Sequence, residues 1–335
     1  MDIEVSGGES GYQRITNLVH VPKALAIFGI QAGPILSSCG LPPDALDNAA
    51  HLLPYTKVGE MLDACVAATG CGHFGLLIGQ NATPEVMGPL GAFLRNAPSL
   101  GDAVRGFISH QHDHADGGLC YLWPAGDQIS FAYAVYNSGN TRWAPLLADT
   151  FLAGAARIIR EISGVSPSEV VLAREAPADV SDYARHFNAP LRFNAEMSAL
   201  VFPRSSFDSP IFNADAAVRR QAQEVLDRVD SLGLVSQIQH AIFPNILLGE
   251  VSLNRIAKSL NLHPRTVNRR LKKCGTSFHA EVERARFELA RQLLGNTRIP
   301  ITQVSQAFGY ASTGVFSRAF HRWSGRSPSD WREKR

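Results

Sequence analysis

Apolar and polar positions follow a helical period through the last third of the chain. Across residues 278–294, apolar side chains recur every three or four positions at Val282, Ala285, Leu289 and Leu293, which is the spacing of one helix face. The spacing predicts an α-helix about 25 Å long, at roughly 1.5 Å per residue, that ends at Gly295. We expect its other faces to be exposed, because charged residues fill them. These residues are Glu281, Glu283, Arg284, Arg286, Glu288 and Arg291.

Two shorter patterns flank this helix, and each predicts a pair of helices joined by a tight turn. In the first, residues 252–271, Asn261 stands at the turn and Pro264 suits the first turn of the second helix. Residues 301–320 repeat the plan with Gly309 at the turn. In both copies the second helix has two buried positions four residues apart, which are Val267 and Leu271, then Phe316 and Phe320. The sequence therefore predicts two helix-turn-helix units in tandem.

The outer face of the first unit's second helix carries side chains that can read DNA bases. Arg265, Asn268 and Arg269 occupy this face, and Arg pairs with guanine while Asn pairs with adenine. Lys272 and Lys273 follow at the end of the helix, where they suit phosphate contacts. We therefore expect this helix to contribute both base recognition and backbone contact.

The corresponding face of the second unit has fewer strong base readers. Arg318 occupies the position of Arg269 in the first unit, and Thr313, Gly314 and Ser317 share its face. We expect these four residues to contact bases, with Arg322 on a phosphate. This unit is predicted to contribute more backbone contact than base recognition.

Charge is divided unevenly along the chain. Residues 234–335 hold 17 of the 32 Lys and Arg residues but 6 of the 30 Asp and Glu residues, a net charge of +11. The remaining 233 residues hold 15 and 24, a net charge of −9. A basic module of this size supplies the sequence-independent part of DNA affinity. A helical bundle with a merely solvated basic surface is the alternative, and two units in register with a spacer helix argue against it.

The C-terminal third resembles a known family. Gly309 and Tyr310 form a Gly-aromatic turn, residues 316–320 read Phe-Ser-Arg-x-Phe, residues 325–328 read Gly-x-Ser-Pro, and an aromatic-Arg pair closes the motif at residues 331–332. This stretch resembles the DNA-binding module of AraC/XylS-type bacterial transcription regulators. The resemblance implies promoter binding through two successive major grooves, a homodimer and contact with RNA polymerase. Three positions depart from the family pattern, which are His263 in place of a Ser cap, Ser305 in place of a small apolar residue, and Tyr310 in place of Phe.

The N-terminal region is predicted to be an α+β domain. Helices are expected over residues 22–38, 57–69, 99–110, 142–163 and 181–187, and strands over 119–124, 128–133, 169–173, 190–193 and 199–202. This layout resembles the helix-first sensor domain of regulators related to the ornithine-utilisation and virulence activators, and not the β-rich sugar-binding barrel of the arabinose regulator. The resemblance implies effector binding, dimerisation or both. We expect this domain over residues 1–207, a helical linker over 208–233 and the DNA-binding domain over 234–335.

Three N-terminal patterns could carry other chemistry. Gly70 to Gly75 spell GxGxxG, but a helix precedes them where a dinucleotide fingerprint needs a strand, so we interpret them as a helix-ending turn. His110, His112 and His114, with Asp113 and Asp116, could bind a metal or form a solvated polar loop, which we favour. Aromatic residues could line an effector pocket or fill the core, and they are Tyr121, Trp123, Phe131, Tyr133, Tyr136 and Trp143.

The sequence thus predicts a DNA-binding transcription regulator that is not an enzyme. Its expected partners are double-stranded promoter DNA, RNA polymerase, a small-molecule effector and a second copy of the chain; no cofactor, metal or membrane is expected. The absence of a signal peptide and five scattered Cys residues predict a cytoplasmic protein with reduced thiols. A haem- or metal-dependent sensor and an enzyme fused to a DNA-binding module are the alternatives.

Overall fold

A computed structural model of the chain describes residues 12–111, 118–135, 142–229, 234–260 and 262–333. The strands are β1 Tyr12–Arg14, β2 Leu52–Pro54, β3 Gly118–Ala125, β4 Gln128–Val135, β5 Glu169–Val171, β6 Leu191–Arg192 and β7 Ser198–Pro203. The N-terminal helices are α1 Val21–Ala26, α2 Ala32–Ser38, α3 Tyr55–Thr69, α4 Phe74–Gly79, α5 Pro89–Arg95, α6 Leu100–Ser109, α7 Ala144–Ser163, α8 Ser181–Phe187 and α9 Ala216–Val229. The C-terminal helices are α10 Leu234–Ile242, α11 Leu253–Ser259, α12 Pro264–Lys273, α13 Phe278–Asn296, α14 Ile301–Ala307, α15 Thr313–Ser324 and α16 Pro328–Glu333. A mixed α and β domain therefore precedes an all-helical region, as predicted.

A five-stranded sheet and one long helix form the centre of the N-terminal domain. The strand order is β3-β4-β7-β5-β6, with β5 and β6 parallel and the other pairs antiparallel. The hairpin between β3 and β4 turns at Gly126, whose φ of +60° lies in the left-handed region that glycine adopts without strain. Helix α7 packs on β4 and β7, and its Leu152 and Ala153 are fully buried. The predicted hairpin and the predicted long helix are thus confirmed.

Several predicted boundaries were wrong. One helix was expected over residues 22–38, but two form, because Gly29 takes a φ of +69° between α1 and α2. Helix α13 continues past Gly295 to Asn296, and Thr297 caps it, with its hydroxyl donating a hydrogen bond to the carbonyl of Leu293 at 2.7 Å. Strands β1 and β2 and helices α4 and α5 were not predicted at all. The interpretation of the GxGxxG pattern is confirmed, since Gly70 caps α3 at a φ of +67°.

The C-terminal region packs directly on the N-terminal domain. Arg298, between α13 and α14, donates hydrogen bonds from its backbone N–H to the carbonyl of Glu196 and from its guanidinium to the carbonyls of Ala173 and Ala195, all within 3.1 Å. Glu250 lies 3.7 Å from Arg105 on α6. These contacts, together with the packing of α6 on α10, connect the helical region to the sensor domain.

The cysteines and the apolar character of the helices bear on two of the predictions. All five cysteines have free thiols, as expected, and only Cys274 among them is exposed. Within the described ranges, no helix combines the length and the apolar character that crossing a bilayer requires.

Candidate nucleic-acid interface

The first helix-turn-helix unit is formed by α11 and α12. Ser252 caps α11 by accepting a hydrogen bond from the N–H of Arg255, and His263 caps α12 by accepting one from the N–H of Arg265 at 3.2 Å. The imidazole thus serves where the family pattern has Ser. Val267 and Leu271 of α12 are fully buried, as predicted. The predicted turn residue Asn261 lies outside the described residues.

Helix α12 presents a continuous cationic face. All five predicted DNA contacts on it are exposed, and they are Arg265, Asn268, Arg269, Lys272 and Lys273. In the described part of the chain, no carboxylate lies within 4 Å of these four cationic groups. Arg265, Arg269 and Lys272 follow one another at intervals of four and three residues, so they share one stripe of the helix. The basic groups are therefore available to an external anion.

The second unit is formed by α14 and α15. Ser312 caps α15, and Gly309 makes the preceding turn at a φ of +76°. Phe316 and Phe320 are fully buried, as the repeat predicts. The predicted base-contacting face is less exposed than that of α12, since Thr313 and Ser317 are half-buried while Gly314 and Arg318 are exposed.

Arg322, the predicted phosphate contact of the second unit, already has a partner. Its guanidinium lies 3.7 Å from Glu283 on α13, which also pairs with Arg286 at 3.4 Å. Arg322 is nevertheless exposed, and an ion pair of this length on a surface contributes little. The side chain can therefore exchange its carboxylate partner for a phosphate.

A buried carboxylate joins helix α13 to the first unit. Glu281 was expected on an exposed face but is fully buried. It accepts hydrogen bonds from the Gln239 amide at 2.6 Å, from the Thr276 hydroxyl at 2.5 Å and from Arg284 at 3.1 Å. Gln239 belongs to α10 and Thr276 follows α12, so one side chain connects three segments. The apolar periodicity predicted an exposed position because it does not account for a carboxylate that is buried with its hydrogen bonds made.

Aromatic residues fix the second unit against the middle of α13. Phe287 lies within 6.5 Å, centroid to centroid, of Phe320, Trp323 and Trp331. Arg332, the last basic residue of the family motif, donates hydrogen bonds to the backbone carbonyls of Leu294 and Ile299. The closing aromatic-Arg pair of the motif therefore has a structural role.

The predicted N-terminal site residues are scattered. Phe131 and Tyr133 line a cavity in the sensor domain, whereas Tyr121 and Trp123 are buried elsewhere and Trp143 packs on Tyr55. Tyr136 lies outside the described residues. The ring of His110 contacts Phe93, and its possible metal partners lie outside the described residues; these are His112, Asp113, His114 and Asp116. Among the residues that the structure describes, no group of three potential ligands could hold a metal ion.

The paired units and the exposed cationic face define a helix-turn-helix DNA-binding transcription regulator. Residues 256–334 accordingly match the family described as "Helix-turn-helix domain". Residues 29–211, more than half of the chain, match the "Arabinose-binding domain of AraC transcription regulator, N-term". The chain therefore belongs to the AraC family of transcription regulators.

Similar proteins are transcription regulators and not enzymes, as the sequence predicted. The HTH-type transcriptional regulator VirS of Mycobacterium tuberculosis is 25% identical over 327 residues, which cover 95% of this chain and 96% of VirS. The ornithine utilization regulator of Pseudomonas aeruginosa is 23% identical over 324 residues, covering 92% of this chain and 93% of that protein. The crystal structure of the transcriptional regulator CdpR from Pseudomonas aeruginosa aligns over 90% of this chain and 96% of CdpR, with 20% identity and a TM-score of 0.48.

Proposed function

We propose that this regulator binds promoter DNA as a dimer, that each subunit reads two successive major grooves, and that a small molecule bound by the N-terminal domain gates this binding. In this proposal α12 enters one groove and α15 the next. RNA polymerase is a further partner, and the protein acts in the cytoplasm. We assign effector binding and dimerisation to residues 1–207, the connection to residues 208–233 and DNA binding to residues 234–335.

The observation that carries the proposal is the unneutralised cationic face of α12. Arg265, Arg269, Lys272 and Lys273 are exposed, and no carboxylate among the described residues lies within 4 Å of them. A protein surface that only needed solubility would be expected to mix both signs of charge here. A row of cations on the second helix of a helix-turn-helix unit instead matches the charge of DNA and the position of base-reading residues.

The length of α13 supports the reading of two grooves. Its nineteen residues span about 28 Å at roughly 1.5 Å per residue. Adjacent major grooves on one face of a duplex lie about 34 Å apart. Both α12 and α15 contact α13, so this helix is the spacer between the two units, and its length is of the same order as the groove spacing.

Support for gating comes from the contacts between the two regions. A ligand can shift a regulator only if it favours one arrangement over another. The DNA-binding region contacts the sensor domain through Arg298 and through the pair formed by Arg105 and Glu250, so a change in the sensor has a physical route to the helices.

The test begins with duplexes selected from a randomised pool by the full-length chain, followed by gel-shift titration of variants. Arg269→Ala is expected to weaken binding to the selected site by about 1–3 kcal/mol and to leave scrambled DNA nearly unaffected. Arg270→Ala is the matched control, because this exposed neighbour is turned about 100° away around the helix. We expect the control to weaken both duplexes to the same small extent.

A second arm tests the two-groove arrangement. Inserting five base pairs between the two protected grooves rotates one groove by about half a turn of DNA. Binding to this duplex should fall to the level of a single groove, and Arg318→Ala should then have no further effect. An equal, sequence-blind loss for Arg269→Ala, or unchanged affinity after the insertion, would contradict the proposal.

A further inference from the structure

The sensor domain contains a cavity of about 140 Å³ that is partly open to the surface. Its walls come from segments far apart in the chain, namely β1 and the turn after it, α6, β4 and α7. An apolar protein cavity of about 150 Å³ holds a benzene-sized molecule. The size therefore points to a compact occupant of about six to nine non-hydrogen atoms.

Five aromatic side chains line the cavity, and the rings of four of them form one cluster. The ring centroid of Phe151 lies 5.3 Å from that of Phe131 at an interplanar angle of 71° and 5.9 Å from that of Phe107 at 44°, and the ring stacks on Tyr133 at 4.6 Å. Aromatic rings favour edge-to-face and offset contacts with further rings at these distances. A flat, apolar ring is consequently a good shape for the occupant.

Three amide side chains in the same wall have polar atoms without a hydrogen-bond partner in the described part of the chain. They are Gln13, Asn17 and Gln111, of which Gln111 is 3% exposed. The Oε1 of Gln111 accepts a hydrogen bond from the backbone N–H of Cys120 at 2.6 Å, so the amide is held in place while its Nε2 has no partner among the described residues. An unpaired buried amide is costly, and a ligand oxygen beside Nε2 would remove that cost.

The wall is uncharged over the residues that the structure describes. None of the described lining residues is Lys, Arg, His, Asp or Glu. Burial raises the pKa of the Cys120 thiol and of the Tyr133 hydroxyl, so both groups stay neutral near pH 7. A carboxylate or an ammonium ion would lose its hydration here without gaining a counter-charge, and a sugar would bury more hydroxyls than the amides can satisfy.

We propose that this cavity is the effector site and that it selects a neutral, compact, mainly apolar molecule, a single ring with one hydrogen-bonding head such as an amide or an alcohol. This proposal rests on the proposed function, in which the N-terminal domain gates DNA binding. The ring packs among Phe107, Phe131 and Phe151, and the polar head pairs with the Gln111 amide.

The experiment measures binding of benzamide, benzoate, toluene and arabinose to the full-length chain by calorimetry and thermal shift. Benzamide and benzoate have nearly the same shape and differ in charge, so their comparison tests the neutral wall. We expect benzamide to bind at least tenfold more tightly than benzoate, with no heat from arabinose. Asn17→Leu, which removes one unpaired amide, should reduce the preference for benzamide over toluene.

A matched pair of substitutions locates the site. Ala155→Leu adds three carbon atoms to a half-buried position in the cavity wall and should abolish benzamide binding. Ala92→Leu makes the same change at a half-buried position outside the cavity and should leave binding unchanged. Tighter binding of benzoate or arabinose, no binding of benzamide, or equal binding by both variants would overturn the inference.

Failure of this inference can be distinguished from failure of the proposed function. Gel shifts on the same preparations, with and without benzamide, report sequence-selective DNA binding separately from ligand binding. Selective DNA binding without benzamide binding would overturn the ligand class alone. Benzamide binding without selective DNA binding, whether the ligand is absent or present, would overturn the proposed DNA-binding function itself.

Discussion

Replacing Glu281 by Ala should destabilise the DNA-binding region by about 3–5 kcal/mol. The carboxylate is fully buried, and the substitution leaves the amide of Gln239 and the hydroxyl of Thr276 without an acceptor. Each hydrogen bond to a charged group contributes about 1.5–3 kcal/mol, and removing one member of a buried polar group costs the desolvation of those that remain. The lost ion pair with Arg284 adds little to the destabilisation, because the Arg284 side chain is 58% exposed.

Urea unfolding followed by tryptophan fluorescence measures this loss, and hydrogen exchange of α10 and α13 assigns it to the C-terminal region. Arg284→Ala is the control and should cost less than about 1 kcal/mol. Glu281→Gln retains one acceptor oxygen, so its loss of stability should fall between those of Arg284→Ala and Glu281→Ala. The reasoning is refuted if Glu281→Ala costs less than 1 kcal/mol or if Arg284→Ala costs as much.

Three further predictions concern other parts of the chain. Lys272→Ala should weaken binding to all DNA sequences alike and lower the slope of log affinity against log salt by about one, as measured by gel shifts at several salt concentrations. His263→Ala should cost about 1 kcal/mol of stability in urea through the lost cap, whereas His263→Ser should restore it. Burial raises the pKa of Asp149 from 3.8 to about 6, against the opposing charge of Arg174. The folded state therefore keeps this carboxyl protonated to a higher pH than the unfolded state does. The contribution of the bound proton to the free energy of unfolding is full below pH 3.8 and is lost as the pH rises to about 6. Relative to Asp149→Asn, the wild type should lose about 3 kcal/mol across that interval in urea melts; a constant difference would contradict the assignment.

The C-terminal region could be predicted closely because its signals are local. Val267 with Leu271, and Phe316 with Phe320, mark the buried side of each second helix within four residues, and a turn residue lies nearby. Glu281 was the exception. Its burial depends on Gln239, forty-two residues earlier, and no local pattern reports such a partner.

The N-terminal domain was less predictable because its important contacts are distant in sequence. Strands β1 and β2 are three residues each and pair across about forty residues, so neither is long enough to show an alternating pattern. The cavity could not be predicted for the same reason, since Gln13, Gln111 and Phe151 are far apart in sequence and meet only in the folded chain. Among the predicted aromatic candidates, Phe131 and Tyr133 reach the cavity while Tyr121 does not, a difference set by which side of the sheet each faces.

The way Arg298 attaches the two regions has a consequence for how such a regulator can diversify. Its guanidinium holds the main-chain oxygens of Ala173 and Ala195, which every amino acid supplies. Substitutions at those two positions therefore leave the acceptors intact. Mutational drift in the sensor can alter what it recognises while the attachment to its output helices survives.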